Sequence, residues 1–367
     1  MTSKYRRRVV LAGVASTAMG SLSGCVGEIT DDEETDVTVT DTAGRTVSLS
    51  LPLDRVVLAR IGFEEILPIL GVGDRVTAIS EGYPRYLPHH TEIAGWEDAP
   101  SVGFAFDEGG INTEAILNQD PDAVLVSPDF VDELRETLPD SNHVIALDFD
   151  NPDLDETAEN IELAGEIFDR EQQAESFIEN LRSYQDLIQA ETKGLSREEK
   201  PTFYLETFDE YVTFGTENLD GKVAANAGGY NLVEDAESLP QVEFGEYELN
   251  PEWLLENDPE FIFRRVYANE SLADEEKAQR RLNELIDRPG WENLTAVQEG
   301  NVYLFHERLA FSIATPLGRA HFAKCFQPEL FTDLQPRELF NEYLEEWLGS
   351  SYPELLFYPR PGETLER

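Results

Sequence analysis

Lysine is nearly missing from this chain. Its 367 residues include six lysines, and 28 Lys+Arg against 74 Asp+Glu give a formal net charge of −46. The acids run through every segment, which excludes a single disordered acidic arm on an ordinary body. No basic stripe exists to release counterions, so duplex DNA and RNA are excluded as partners. Cysteine is scarcer still: Cys25 and Cys325 are the whole supply, and no disulfide framework is implied. Past the first 25 residues no run reaches 18 apolar residues, so no helix of the body crosses a bilayer. Fingerprints of catalysis are absent too. There is no G-x-S-x-G elbow and no P-loop, and the "GVG" of "ILGVGDR" follows a helix where a dinucleotide motif follows a strand.

What is there describes a globular protein with an acidic coat. Hydrophobic residues make up 41% and aromatics 10%, enough for two domains with real cores. Self-repulsion on this scale destabilises a compact chain at low ionic strength, but about 1 M salt shortens the screening length to about 3 Å. The composition reads as that of a protein working in molar salt, as in an extreme halophile.

Residues 1–24 form a separate device. "KYRRR" is a basic leader to the 15-residue apolar stretch Val9–Ser23, too short to span a membrane. Arg6-Arg7-Arg8-Val9-Val10-Leu11 resembles a twin-arginine export signal. Leu22-Ser23-Gly24-Cys25 resembles a lipobox, which implies cleavage before Cys25, lipidation of its thiol, and anchorage to the outer face of the cytoplasmic membrane. Removing four basic and no acidic residues takes the mature charge from −46 to −46 − 4 = −50. Residues 25–36, with "VGEITDDEETD", read as an acidic tether.

The body alternates short apolar runs with helical stretches. "VTVTDTAGRTVSLS" has the period-two pattern of a hairpin around Ala43-Gly44. "RVVLA", "RVTAIS", "DAVLVS" and "NHVIALDF" read as buried strands separated by helices. A second such series holds "TFYLE", "EFIFRRV" and "NVYLF". This predicts parallel sheets with helices on their faces, and ligands beyond the carboxyl ends of the strands. Between the series, Leu154 to Ala190 keeps helical spacing with no proline, Gly165 being its one weak point. One helix over this span would run roughly 55 Å. The expected architecture is α/β: two Rossmann-like lobes, 37–152 and 194–347, joined by one long rigid helix within 153–193, with a tail at 348–367.

Several stretches in order resemble the substrate-binding proteins of ABC importers for ferric siderophores, haem and vitamin B12. They are "VTVTDTAGRTVSLSLPLDRVV", "EEILPILGVGDRVTAIS", "VGFAFDEGGINTEAILNQDPDAVLVS", "AANAGGYNLVED", "LNPEWLLENDPEFIF" and "RPGWENLTAVQEGNVYLF", spread over residues 37 to 347. The resemblance implies transport without catalysis: a metal complex held between two lobes and passed to a membrane permease with its ATPase. It implies no intrinsic cofactor, since the metal arrives inside the cargo. It also implies docking through one acid per lobe. Glu114 matches the first-lobe position, whereas Lys222 stands at the second.

The candidate cargo is a bulky anionic iron chelate, an Fe(III)-siderophore. Arginine forks and aromatic faces suit such a ligand. Post-strand loops supply Arg60, Tyr83, Arg85, Tyr86, Phe104, Tyr211, Arg265, Tyr267, His306 and Arg308, with Phe106, Phe214 and Phe311 in equivalent places. Alternation along "EFIFRRV" lets only one of Arg264 and Arg265 face the cleft. The competing reading for each arginine is a local ion pair with an abundant carboxylate, and for each aromatic it is core packing. Haem or cobalamin is an alternative cargo, with Tyr86, His89 or His306 as an axial ligand to haem. A bare divalent metal is disfavoured: His89 and His90 point to opposite sides of an extended chain, and Pro84 and Pro88 oppose a helix there. His143, His321, Cys325, Trp96, Trp253 and Trp291 read as structural.

Overall fold

The computed structural model describes residues 35–359 apart from 88–90, 93, 140–142, 150, 152, 237–238, 240–245, 268–269, 271, 311 and 351–355. The signal, Cys25, nearly all of the tether, His89, His90 and Phe311 therefore lie outside the described residues, as does the side chain of Tyr86. Among the described residues no helix is long and apolar enough to cross a membrane.

The body opens with the expected hairpin, β1 (Thr35–Thr40) against β2 (Thr46–Leu51), with Val39 opposite Val47. Gly44 takes φ 75° at its turn, a left-handed conformation glycine adopts without steric cost. Then come β3 (Val56–Leu58), α1 (Ile66–Ile69), β4 (Val76–Ile79), α2 (Gly82–Tyr86), α3 (Thr113–Leu117), β5 (Ala123–Val126), α4 (Val131–Thr137) and β6 (His143–Ala146). The four strands after the hairpin form a parallel sheet of order β4-β3-β5-β6. Every residue of β3 and β5 is buried, so both read as unbroken apolar runs, as strands covered on both faces must.

The stretch expected to be one helix is two. α5 (Leu154–Phe168) ends at Asp169, whose φ of 57° is left-handed, and α6 (Glu171–Thr192) begins two residues later. The amide of Arg170 donates back to the carbonyl of Gly165 at 2.8 Å, which closes α5. A Cβ on Gly165 would come 2.7 Å from Cβ of Ala174, so the glycine lets α6 cross α5 closely after the turn. The 22 residues of α6 span about 33 Å. The link between the lobes is a bent helix pair.

The second lobe contains β7 (Thr202–Glu206), β8 (Val212–Phe214), α7 (Leu219–Asn226), β9 (Tyr230–Asn231), β10 (Glu246–Glu248), α8 (Pro251–Asn257), β11 (Phe261–Val266), α9 (Glu275–Ile286), α10 (Thr295–Glu299), β12 (Val302–His306), α11 (Thr315–Phe326), α12 (Pro336–Leu348) and β13 (Phe357–Tyr358). Its sheet runs β10-β8-β7-β11-β12-β13, with β9 beside β7. The central β7, β11 and β12 are parallel, and β8, β10 and β13 are antiparallel additions. β13 comes from the segment expected to be a tail. α5 rests on the β1–β2 hairpin, while α6 lies along α11. Phe203, Phe263, Phe305, Phe322 and Phe326 interlock beneath the second sheet, with Phe263 and Phe322 centroids 5.0 Å apart and edge to face. Cys325 and His321 are buried in this core, where burial lowers the His321 pKa to about 4.

Candidate ligand-binding cleft

The carboxyl ends of the two parallel sheets are brought together by one side chain. Arg308, two residues past β12, reaches Glu64 at 3.2 Å and Glu65 at 2.5 Å, both just beyond β3. Glu65 also accepts the Tyr343 hydroxyl of α12 at 3.2 Å. Arg308 is 3% exposed, so the ligand role expected of it is corrected: its guanidinium ties the lobes from inside.

The first-lobe wall is built from three post-strand loops. Arg60 follows β3, Phe104 and Phe106 follow β4, and Phe130 follows β5. The Arg60 guanidinium carbon stands 5.1 Å from the Phe106 ring centroid and 5.7 Å from that of Phe130. Phe106 packs edge to face on Phe104 and on Phe130, yet stays 62% exposed. Among the described residues no carboxylate lies within ion-pair reach of Arg60, and its buried Nε has no hydrogen-bond partner. In a chain with 74 acids that is a position held open.

Its neighbours differ. Arg85 donates to both oxygens of Asp107, at 2.9 and 2.8 Å, and to Glu81 at 2.7 Å, while lying over Phe104 at 5.3 Å. Those bonds hold the Asp107 carboxyl below its usual pKa. At Arg85 the local ion pair, the competing reading there, is formed, while the side chain stays partly exposed. Tyr83 is fully buried, edge to face with Trp96, and its hydroxyl accepts the Phe63 amide at 3.2 Å. It packs the core and has no face toward a ligand. The stretch around Pro84, where a helix was not expected, is helical as α2.

The second-lobe wall is aromatic, and its arginine is ion-paired. Phe208, past β7, stacks on Tyr267, past β11, with centroids 3.5 Å apart and planes within 6°. Tyr267 is 42% exposed. Arg265 lies 4.4 Å from the Phe208 centroid and is taken by Asp220 at 2.8 Å and Glu307 at 2.6 Å. Burial pushes the Asp220 carboxyl up to about 6, against the pull of Arg265. Arg264 points to the opposite face of β11 and binds Glu206 at 2.5 Å, as alternation requires. Tyr211 belongs to that face as well. Its ring lies under Arg288 and edge to face with Trp291, so it is corrected to a packing role. His306 is also corrected: it is fully buried, and its Nδ1 accepts the Arg308 amide at 3.3 Å.

Phe130 and Phe208 were missed by the sequence reading, although each follows a buried strand within a few residues. Among the described residues no group of three or more His, Cys, Asp or Glu side chains is placed to hold a metal ion. Glu114 is exposed in the first turn of α3, and Lys222 is half-buried on α7, near exposed Glu217.

Two α/β lobes tied by Arg308 to Glu64 and Glu65, with exposed aromatic rings in their post-strand loops, match a known design. A family model described as periplasmic binding protein covers residues 64–309. The chain belongs to the periplasmic binding protein family. It is similar to the molybdate-binding protein MolA of Haemophilus influenzae, 22% identical over 95% of this chain and 98% of MolA. The TroA-like periplasmic binding protein FepB of Veillonella parvula shares the fold with TM-score 0.76, 24% identity, and coverage of 88% of this chain and 99% of FepB. The ABC-type Fe3+-hydroxamate transport protein of Saccharomonospora viridis superposes with TM-score 0.56 at 20% identity, over 78% of this chain and 97% of its own. As a periplasmic binding protein, the chain is the solute-binding component of an ABC importer, working with a permease and an ATPase, and its role is transport.

Proposed function

We propose that this binding protein captures an anionic iron chelate, a ferric siderophore, between its lobes and delivers it to the permease. The observation that carries the reading is Arg60: one guanidinium spared from every carboxylate among the described residues and framed by the exposed ring of Phe106. A cation over aromatic faces suits a bulky anion with apolar arms. Phe104, Phe106 and Phe130 make one wall of this site, and Phe208 with Tyr267 the other. Glu114 is the first-lobe docking acid. In this reading the leader, which resembles a twin-arginine signal, exports the body, Cys25 of the lipobox-like stretch is lipidated and holds it at the membrane, and the acidic coat fits it to molar salt.

MolA supports a second reading, a small oxyanion such as molybdate. A compact oxyanion needs several convergent donors, whereas among the described residues this cleft offers one guanidinium without a carboxylate partner, set among rings. Tryptophan-fluorescence titration in about 1 M salt, where screening removes diffuse attraction, separates the cargoes. The panel is ferric catecholate and hydroxamate siderophores, molybdate, haem, cobalamin, and free Zn²⁺ or Mn²⁺. Tight quenching by a ferric siderophore supports the reading. Quenching by molybdate or free metal with none by any siderophore overturns it.

A further inference from the structure

Away from the cleft, on the other face of β11, lies a groove of about 470 Å³ between α9 and the turn joining β7 to β8. Five cations line it: Arg264, Lys277, Arg280, Arg281 and Arg288. The lining contains two carboxylates, Glu210 and Glu284. In a chain with 28 basic and 74 acidic residues, a wall carrying five positive charges against two negative inverts the local balance.

The positive charge is only partly neutralised from behind. Arg264 and Arg288 share the buried carboxylate of Glu206, at 2.5 and 2.7 Å, and Arg288 also reaches Glu210 of the groove wall at 3.5 Å. Arg281 pairs with Glu270. Arg280 makes a loose exposed pair with Glu276 at 3.9 Å. Lys277 has no carboxylate partner among the described residues; Asp274 takes its backbone amide and leaves the ammonium alone. Helical spacing explains the arrangement, since positions 277, 280, 281, 284 and 288 fall on one face of α9 and its exit. That face is turned toward Glu210 and Arg264, so the cations converge on one space.

Guanidinium forks beside a free ammonium match a group with several oxygens and more than one negative charge. We infer that this groove is a second ligand site, for a phosphate or pyrophosphate group, carried either by a soluble molecule or by a lipid headgroup. The site is separate from the cargo cleft and does not depend on which cargo the cleft holds.

Calorimetric titration of the full chain with inorganic pyrophosphate tests it, alongside the double variant Lys277→Ala/Arg280→Ala. Both side chains are exposed, so the variant keeps its core. The expected result is one pyrophosphate per chain, with affinity about tenfold lower or worse in the variant, as for loss of a charged contact. Sedimentation with vesicles bearing phosphomonoester headgroups, against phosphatidylcholine vesicles, identifies the source of the phosphate. Chain and variant carry the same N-terminus there, so a difference between them reports the groove. Cargo quenching in the variant should match the parent chain. The inference is overturned if the parent binds neither pyrophosphate nor phosphomonoester vesicles, or if the variant binds them equally well.

Discussion

Arg308 of the second lobe and Glu65 of the first are 2.5 Å apart in a place closed to water, at 3% and 4% side-chain exposure. With Glu64 at 3.2 Å and the Tyr343 hydroxyl on Glu65, this is an ion pair across the lobe boundary. Removing one partner leaves buried charge without compensation, which typically costs about 3–5 kcal/mol. Arg308→Ala is therefore expected to lower the denaturation midpoint strongly. Because the pair is buried, the loss should persist when salt is raised, unlike that of a surface pair. Chemical denaturation at two salt concentrations checks both points.

The same turn is clamped from outside by a glycine. A Cβ on Gly318 of α11 would stand 1.8 Å from the carbonyl oxygen of Leu309, a backbone atom that cannot swing aside. Gly318→Ala is expected to destabilise at or above the ~1–3 kcal/mol typical of overpacking. It should also loosen the Arg308 pairing, so adding it to Arg308→Ala should cost less than the sum of the two. A double-mutant cycle measures that shortfall.

Asp220 gives a pH signature. Its carboxyl is pushed up to about 6 by burial, against 3.8 for the free group. The folded state therefore holds a proton over that interval which the unfolded state has released. Stability falls as pH rises from about 4 to 6, and above 6 the full penalty of roughly 3 kcal/mol stands. Asp220→Asn should remove this downward component, so that its unfolding free energy gains on the parent's as pH rises through the window. An unchanged difference between the two from pH 4 to 7 would place the titration elsewhere.

The sheets were legible because buried parallel strands leave unbroken apolar runs, and "RVVLA", "DAVLVS" and "EFIFRRV" all became strands. The bend at Asp169 was not, since an aspartate in the left-handed region leaves little mark on an otherwise periodic stretch. Neither was β13, whose pairing with β12 joins residues more than fifty positions apart. The site was legible as a set of loops, but not by side chain. Which arginines are free depends on which acids the fold delivers: Asp107 to Arg85, and Asp220 and Glu307 to Arg265. With 74 acids to choose from, that assignment exists only in three dimensions.

Arg60 and Arg85 therefore behave differently. Both follow first-lobe strands and both lie against phenylalanine rings, but Arg85 is held by Glu81 and Asp107, while Arg60 has no carboxylate partner among the described residues. Arg60→Ala should weaken binding of an anionic ferric chelate by about tenfold or more, in line with ~1.5–3 kcal/mol for a charged hydrogen bond. Arg85→Ala should change affinity by no more than about threefold, because a partly exposed ion pair contributes ~0–1 kcal/mol. Phe106→Ala should fall between them, through loss of the ring that positions the guanidinium. Fluorescence titration of the three variants against one ferric siderophore ranks them. A larger loss at Arg85 than at Arg60 would mean the cargo displaces Asp107, and would move the site toward α2.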